Sequence, residues 1–417
     1  MQEKELIPHL YRTEFRKIAA VLCRLFGIEH ISIAEDIVGD TFLLAAETWG
    51  FKGVPANPAA WLYTVAKNKA KDFLKRNTIF NEKVSPGLQY AANESHEIEV
   101  DLSGKNIQDS QLQMMFAICH PGIPPEAQIG LSLRILCGFS IDEIADAFLT
   151  NKETINKRLF RARERLKQVK VKIELPSDAE IGKRIENVLT TLYLLFNEGY
   201  YSSNRNTVLQ KDLCLEAMRL THMLTENEST NMPGVSALLS LMCFHASRFE
   251  ARTNKDGELI LYDEQDTSLW DNELIKRGEY YLNLSAKGDV ITKYHIEAAI
   301  AFWHTGERNN PEKWEKILSL YNKLLVIEYS PIAALNRTYA LAKVYGNAAA
   351  IIEAEKLHLD TSHLYHSLLG ELYIDVDKQK AIDHLNIALK LTRPAEDKKI
   401  ILKKIEKLKH QVSPAVK

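Results

Sequence analysis

The sequence predicts an all-α protein: two small helical domains joined by a flexible linker, the second a helix-turn-helix, followed by a long helical C-terminal domain. Three observations predict it. Apolar residues recur at three- and four-residue spacing along nearly the whole chain, while β-branched alternation over strand lengths is scarce. Helix-start signals precede these runs. Ser32 with Glu35, Ser140 with Glu143, Thr150 with Glu153 and Ser177 with Glu180 each fit a capping box, in which a hydroxyl takes a backbone N–H and a carboxylate reaches back. Polar stretches bearing Pro and Gly separate the runs.

The bulk numbers fit this layout. At 417 residues the chain is too long for one ordinary core. Lys and Arg number 53 against 55 Asp and Glu, so basic and acidic segments cancel in a net charge of −2. Five scattered cysteines without a CxxC pair point to buried small hydrophobes rather than a disulfide framework or a zinc site. The charged start, Met1-Gln-Glu-Lys-Glu, is unlike a signal peptide, and no apolar run is long enough to span a bilayer. A cytoplasmic location is expected.

The first domain is assigned to residues 1–76. Residues 32–49 read as one amphipathic helix, with Ile33, Ile37, Val38, Phe42, Leu44 and Ala45 on an apolar face and Glu35, Asp36, Asp40 and Glu47 outside. Gly39 sits within it, where glycine costs about 1 kcal/mol relative to alanine. A loop with Gly50, Gly53, Pro55 and Asn57 follows, and Asn57-Pro58 supplies a cap and a first-turn proline. The next helix buries Leu62, Val65, Ala66 and Phe73 and presents Lys67, Lys69, Lys71, Lys75 and Arg76 beside Trp61 and Tyr63. Trp61 reads equally well as a core anchor and as a platform on which a base stacks.

Residues 77–106 have the composition of a linker, with Ser85-Pro86-Gly87 and the acids Glu94, Glu97, Glu99 and Asp101. Residues 107–172 form the second domain. Within it a short helix over 141–148, a turn at Leu149-Thr150-Asn151 and a second helix make a helix-turn-helix. Ile144, Ala145, Ile155 and Leu159 face each other across it. The second helix offers Thr154, Asn156, Lys157, Arg158 and Arg161, followed by Arg163, Arg165 and Lys167. Amides and guanidiniums suit base edges, and Lys and Arg neutralise phosphates.

Taken together, Ala34-Glu-Asp-Ile-Val, Asp40-Thr-Phe, Ala60-Trp-Leu-Tyr, Ala66-Lys-Asn with Asp72, and Phe160-Arg-Ala-Arg-Glu resemble the sigma-70 superfamily of extracytoplasmic-function (ECF) type. The resemblance covers about the first 170 residues. It implies that Glu35, Asp36 and Asp40 dock on core RNA polymerase. It implies that Asn57, Trp61, Tyr63, Lys67 and Lys71 melt the −10 promoter element, and that Thr154, Asn156, Lys157, Arg158, Phe160 and Arg161 read the −35 element. Core polymerase and promoter DNA are the implied partners; no cofactor, metal or catalytic residue is implied.

Residues 173–417 exceed what such a factor needs and resemble the sigma subgroup with a tetratricopeptide-like C-terminal extension. Leu335, Asn336 and Tyr339 recur as Leu369, Gly370 and Tyr373, at the 34-residue tetratricopeptide interval, followed by Ala381, Leu385 and Ala388. The tetratricopeptide-like part is placed from about residue 291. The resemblance implies that the extension regulates the factor, by contact with the sigma domains or with another regulator; a stabilising or dimerising scaffold is the plainer alternative. Asp263, Glu264, Asp266, Trp270, His295, Glu297 and His304 match no ligand or hydrolase spacing and read as caps and buried hydrogen bonds. Two other readings remain open from sequence alone: a stand-alone helix-turn-helix regulator with a tetratricopeptide-like sensor, and an enzyme fused to a DNA-binding domain.

Overall fold

The computed structural model describes residues 3–84, 100–148, 150–200, 207–252, 260, 262–306, 312–392 and 395–412. Among these residues every regular element is helical, and the chain divides into two compact units, Met1–Thr230 and Asn231–Lys417.

The first unit is built on α1 (Glu3–Phe26), whose Phe15, Ile18, Ala19 and Leu22 are fully buried. One neighbour cannot cover so many faces. The helix packs on α2 (Ile31–Lys52) and α3 (Pro58–Val84), and also on α4 (Gly104–Ile118). The start of α3 is as expected, with the Asn57 side chain accepting the Ala60 N–H at 3.0 Å and Pro58 in first position. The α2 start is not. That helix begins at Ile31, directly after a 3-10 turn at Ile28–His30, and no side chain caps it. Ser32 therefore lies inside the helix, and Glu35 is released for other partners. Leu44, expected on the apolar face, is exposed. The α3 helix runs eight residues past the expected domain end at 76, because nothing breaks it before Pro86. The remainder of the assigned linker up to residue 99 lies outside the described residues.

The second domain contains α4, α5 (Pro125–Leu131) with a π-helical turn at Ser132–Leu136, α6 (Ile141–Ala147) and α7 (Lys152–Gln168). The capping box at Ser140 forms: its hydroxyl accepts the Glu143 N–H at 3.2 Å, and Glu143 accepts the Ser140 N–H at 2.8 Å. The predicted box at Thr150 does not. Asn151 caps α7 by accepting the Thr154 N–H at 2.8 Å, while the Thr150 N–H closes the turn onto the Ala145 carbonyl. Ile144, Ala145, Ile155 and Leu159 are buried between the two helices as expected. Gly138 has a positive φ of 77°, and a Cβ there would stand 2.9 Å from the Arg12 carbonyl of α1. Only glycine allows this loop to lie against α1.

Two more helices belong to this unit although they lie beyond residue 172: α8 (Asp178–Tyr200) and α9 (Thr207–Thr225). Arg184 donates to the Phe116 carbonyl at 2.5 Å, and Asn187 donates to the Cys119 carbonyl. These are orphan carbonyls at the end of α4, which α8 therefore finishes. Thr191 donates to the Gln128 side chain at 2.6 Å, and Gln128 in turn donates to the Ile123 carbonyl at 2.9 Å. From α9, Arg219 donates to the Leu136 carbonyl at 2.7 Å. The domain boundary expected at 172 thus differs from the structural one at 230.

The second unit contains α10 (Pro233–Ala246), α11 (Asn272–Ser285), α12 (Lys293–Thr305), α13 (Lys313–Ile327), α14 (Pro331–Tyr345), α15 (Asn347–Glu355), α16 (His363–Tyr373), α17 (Lys378–Leu391) and α18 (Ala395–Val412), with neighbours in sequence packing on one another. Ala381, Leu385 and Ala388 are buried where α17 meets α16, and a Cβ on Gly370 would lie 2.7 Å from Leu385 Cγ. Asp266 accepts the Ser268 N–H at 2.9 Å, His295 Nδ1 accepts the Thr292 N–H at 3.1 Å, and the Tyr339 hydroxyl donates to Asp263 at 3.3 Å. The first two serve local structure, while the third joins α14 to the short turn at Tyr262–Glu264. All five cysteines are free and buried.

Candidate nucleic-acid interface

On α7 the residues Ile155, Leu159, Ala162 and Leu166 face inward, which turns Thr154, Asn156, Lys157 and Arg161 to solvent. Arg158 is half-buried, its guanidinium laid over the Phe148 ring at 5.2 Å. Phe160 is 63% exposed, unusual for an aromatic with no role in packing. Fixed by the Asn151 cap and the buried face, this surface combines amide, hydroxyl, cations and an aromatic. That set can bond base edges and neutralise phosphates.

In the first domain the five predicted nucleic-acid residues divide. Asn57 is committed to its helix cap. Trp61 is half-buried, edge-on to the buried Trp49 at 5.4 Å. The Tyr63 hydroxyl donates to Glu14 at 2.6 Å, and burial followed by that carboxylate pushes its pKa up. Lys67 and Lys71 follow Tyr63 at four-residue steps, so the three share one face of α3.

The three acids of α2 divide as well. Asp36 is exposed, and Asp40 is exposed with Lys69 at 3.3 Å. Glu35 is only 7% exposed and is gripped by two arginines of the second domain, Arg134 at 2.7 Å and Arg163 at 2.5 Å. Burial of Arg134 would lower its pKa, but Glu35 and then Tyr11 raise it overall. Between α2 and the helix-turn-helix lies a polar cleft of about 550 Å³, lined by Asp36, Gly39, Asp40 and Asn156 among others. Glu35 is thus not on the free surface where the resemblance would put it. Its arginine partners were missed by the sequence reading, which counted Arg163 as outward. The signal was present: Ile155, Leu159 and Arg163 repeat at four-residue steps and therefore share the inner stripe.

Two further arginines tie the domains. Arg12 on α1 pairs with Glu143 of α6 and Asp212 of α9, and Arg16 pairs with Glu216 of α9. Glu216 also accepts from Arg219 at 2.8 Å.

Two domains of this kind, one bearing an acidic helix beside a basic aromatic helix and the other a capped helix-turn-helix, define a bacterial promoter-recognition factor. Residues 10–79 match the family described as Sigma-70 region 2, and residues 119–166 match Sigma-70, region 4. The chain belongs to the sigma-70 family of RNA polymerase sigma factors and is ECF-like. It is 28% identical over 153 residues to the ECF RNA polymerase sigma-E factor of Haemophilus influenzae, covering 36% of this chain and 78% of that one. It is 26% identical over 182 residues to the RNA polymerase sigma-H factor of Pseudomonas aeruginosa, covering 39% and 91%. An uncharacterized protein of Rhizobium meliloti is 32% identical over 349 residues, 82% of each chain. Residues 184–286 match a family of unknown function, DUF6596. No solved structure matches.

Sigma domains bind core RNA polymerase and promoter DNA, and sigma factors are initiation factors rather than enzymes. No helix among the described residues is long and apolar enough to cross a membrane.

Proposed function

We propose that this sigma factor acts in the cytoplasm, reading a −35 element through α7 and melting a −10 element through α3, while α2 docks on core polymerase. Residues 1–76 and 107–172 carry these tasks. The segment from 173 onward, tetratricopeptide-like from about 291, regulates them. The observation that carries the reading is the exposed set Thr154, Asn156, Lys157, Phe160 and Arg161 on a helix whose start and inner face are both fixed. The Tyr63, Lys67 and Lys71 face supports the −10 role, because stacking on an aromatic is worth about 1–3 kcal/mol per base and offsets unstacking.

The test is transcription reconstituted with core polymerase. Lys157→Ala and Arg161→Ala reduce output from a −35-dependent promoter. Each also lowers the salt dependence of promoter binding, by about one unit of slope for every phosphate left unneutralised. Core binding stays intact. Unchanged promoter affinity in both variants rejects α7 as the reading helix. Regulation by the later segment is tested by ending the chain after Thr230 rather than Lys172, since α8 and α9 complete the first unit. Wild-type output at equal protein level refutes a regulatory role for the part beyond Thr230.

A further inference from the structure

Charge is distributed unevenly along the second unit. Residues 231–397 hold 18 Lys and Arg against 24 Asp and Glu, whereas residues 398–417 hold seven Lys against one Glu. The excess falls on α18. Its inner face, Ile401, Ile405 and Leu408, is buried in the apolar core that α16 and α17 also enter. That packing turns Lys398, Lys399, Lys403, Lys407 and Lys409 outward, and all five are exposed. Among the described residues, Lys404 is the one lysine of this helix in an ion pair, with Glu371 of α16 at 2.5 Å. The arrangement works against the helix itself. Lys399, Lys403 and Lys407 follow one another at four-residue steps, a spacing at which like charges destabilise a helix. The helix dipole favours Lys409 in the last turn, but not Lys399 or Lys403. A polar cover for the end of a helical stack needs no such repulsion, since alternating Glu and Lys would serve.

We propose that the outer face of α18 is a second nucleic-acid contact, which holds the phosphate backbone of duplex DNA without regard to sequence. It goes beyond promoter reading by α7 and α3 and does not depend on it. Four-residue steps set Lys399, Lys403 and Lys407 about 6 Å apart along the helix axis, so a row of them can follow neighbouring phosphates of one strand. Each ammonium neutralises a phosphate as a point charge. The described outer side chains of α18 include no amide, guanidinium or aromatic, so neither base edges nor unstacked bases are read there. A lipid surface is the poorer fit, because the apolar face that an interfacial helix inserts is already buried in this fold. The acidic remainder of the unit repels a polyanion, which confines the contact to α18.

The test is binding of the full chain, without core polymerase, to a random-sequence duplex over about 50–200 mM salt. Lys399→Gln, Lys403→Gln and Lys407→Gln combined lower the slope of log affinity against log salt by about 2–3, near 0.9 for each phosphate left unneutralised. Lys399→Arg, Lys403→Arg and Lys407→Arg combined keep the wild-type slope, because the charge is kept. Lys276→Gln, Lys316→Gln and Lys323→Gln remove the same charge from exposed positions elsewhere on the unit and leave the slope unchanged. The loss adds to that of Lys157→Ala with Arg161→Ala, since the two helices hold different phosphates. An unchanged slope in the first variant, with helix content intact, overturns the proposal. An equal fall in the control variant also overturns it, as an effect of net charge alone. Binding to phosphatidylglycerol vesicles that is lost in the first variant while its duplex slope stays wild-type overturns it in favour of a lipid surface. Core polymerase is absent from the assay, so a chain that fails to bind core counts against the promoter reading above and leaves this result standing.

Discussion

Replacing Gly138 by alanine should weaken the first unit by about 2–5 kcal/mol, from two separable penalties. The first is conformational. The φ of 77° lies where an L side chain costs about 1–2 kcal/mol. The second is steric. The new Cβ would stand 2.9 Å from the Arg12 carbonyl, a backbone atom in the middle of a buried helix that cannot swing aside. Overpacking of this kind costs about 1–3 kcal/mol. Gly53 provides the control: its φ is 79°, and nothing lies within 4 Å of its would-be Cβ. Gly53→Ala therefore carries the first penalty alone. Hydrogen exchange read on α1 peptides across a urea series gives both values. Because the clash lies between α1 and the loop before α6, Gly138→Ala should also release Arg12 from Glu143. Equal costs at the two glycines would refute the close approach, and a neutral Gly138→Ala would refute both penalties.

Gly39→Ala should stabilise α2 by about 1 kcal/mol, since the position is helical and open, and urea melts of the variant check this. Ser140→Ala should cost about 1 kcal/mol by removing the α6 cap, read in the same melts. Gly370→Ala should cost about 1–3 kcal/mol in the second unit, because its Cβ would meet Leu385 Cγ at 2.7 Å; a thermal scan that leaves this unit unchanged would contradict it. His304 has its pKa pushed down to about 3, by burial first and then by Arg248 and Lys313, and His245 is lowered in the same direction. An unfolded chain binds these protons first, so the second unit is fully stable above about pH 6.5 and loses stability as pH falls below it. The check is a melting series between pH 7 and 5, above the ordinary carboxylate range, in which His304→Gln flattens the slope.

What the sequence made legible was local chemistry. The Asn57-Pro58 start and the Ser140 and Glu143 box depend on neighbours three residues away, the packing of Ile144 on Ile155 and Leu159 on the adjoining helix, and the burial of the cysteines was marked by the apolar sequence around each. The errors arose where a distant group competed. Ser32 and Glu35 have the spacing of a capping box, but a preceding 3-10 turn already leads into α2, and two arginines about 100 and 130 residues away claim the carboxylate. Thr150 gave way to Asn151 because its N–H was needed to close the turn. The break in periodicity at 172 does fall between the stretch matched to Sigma-70, region 4, which ends at 166, and the one matched to the family of unknown function, which begins at 184. That break does not show that the last carbonyls of α4 need Arg184 and Asn187 from the next helix.

Glu143 has two oxygens with two employers. Oε2 accepts the Ser140 N–H and so begins α6, while Oε1 takes Arg12 from a different domain. Position 143 is therefore a pleiotropic site, at which one substitution alters both the nucleation of a DNA-reading motif and the joint between domains. Glutamine separates the two duties, since its amide oxygen can still accept the Ser140 N–H but no longer carries the charge that attracts Arg12. A sequence in this family that bears glutamine there would keep its reading head and have a looser hinge, so that single position is an index of how tightly the two sigma domains are coupled.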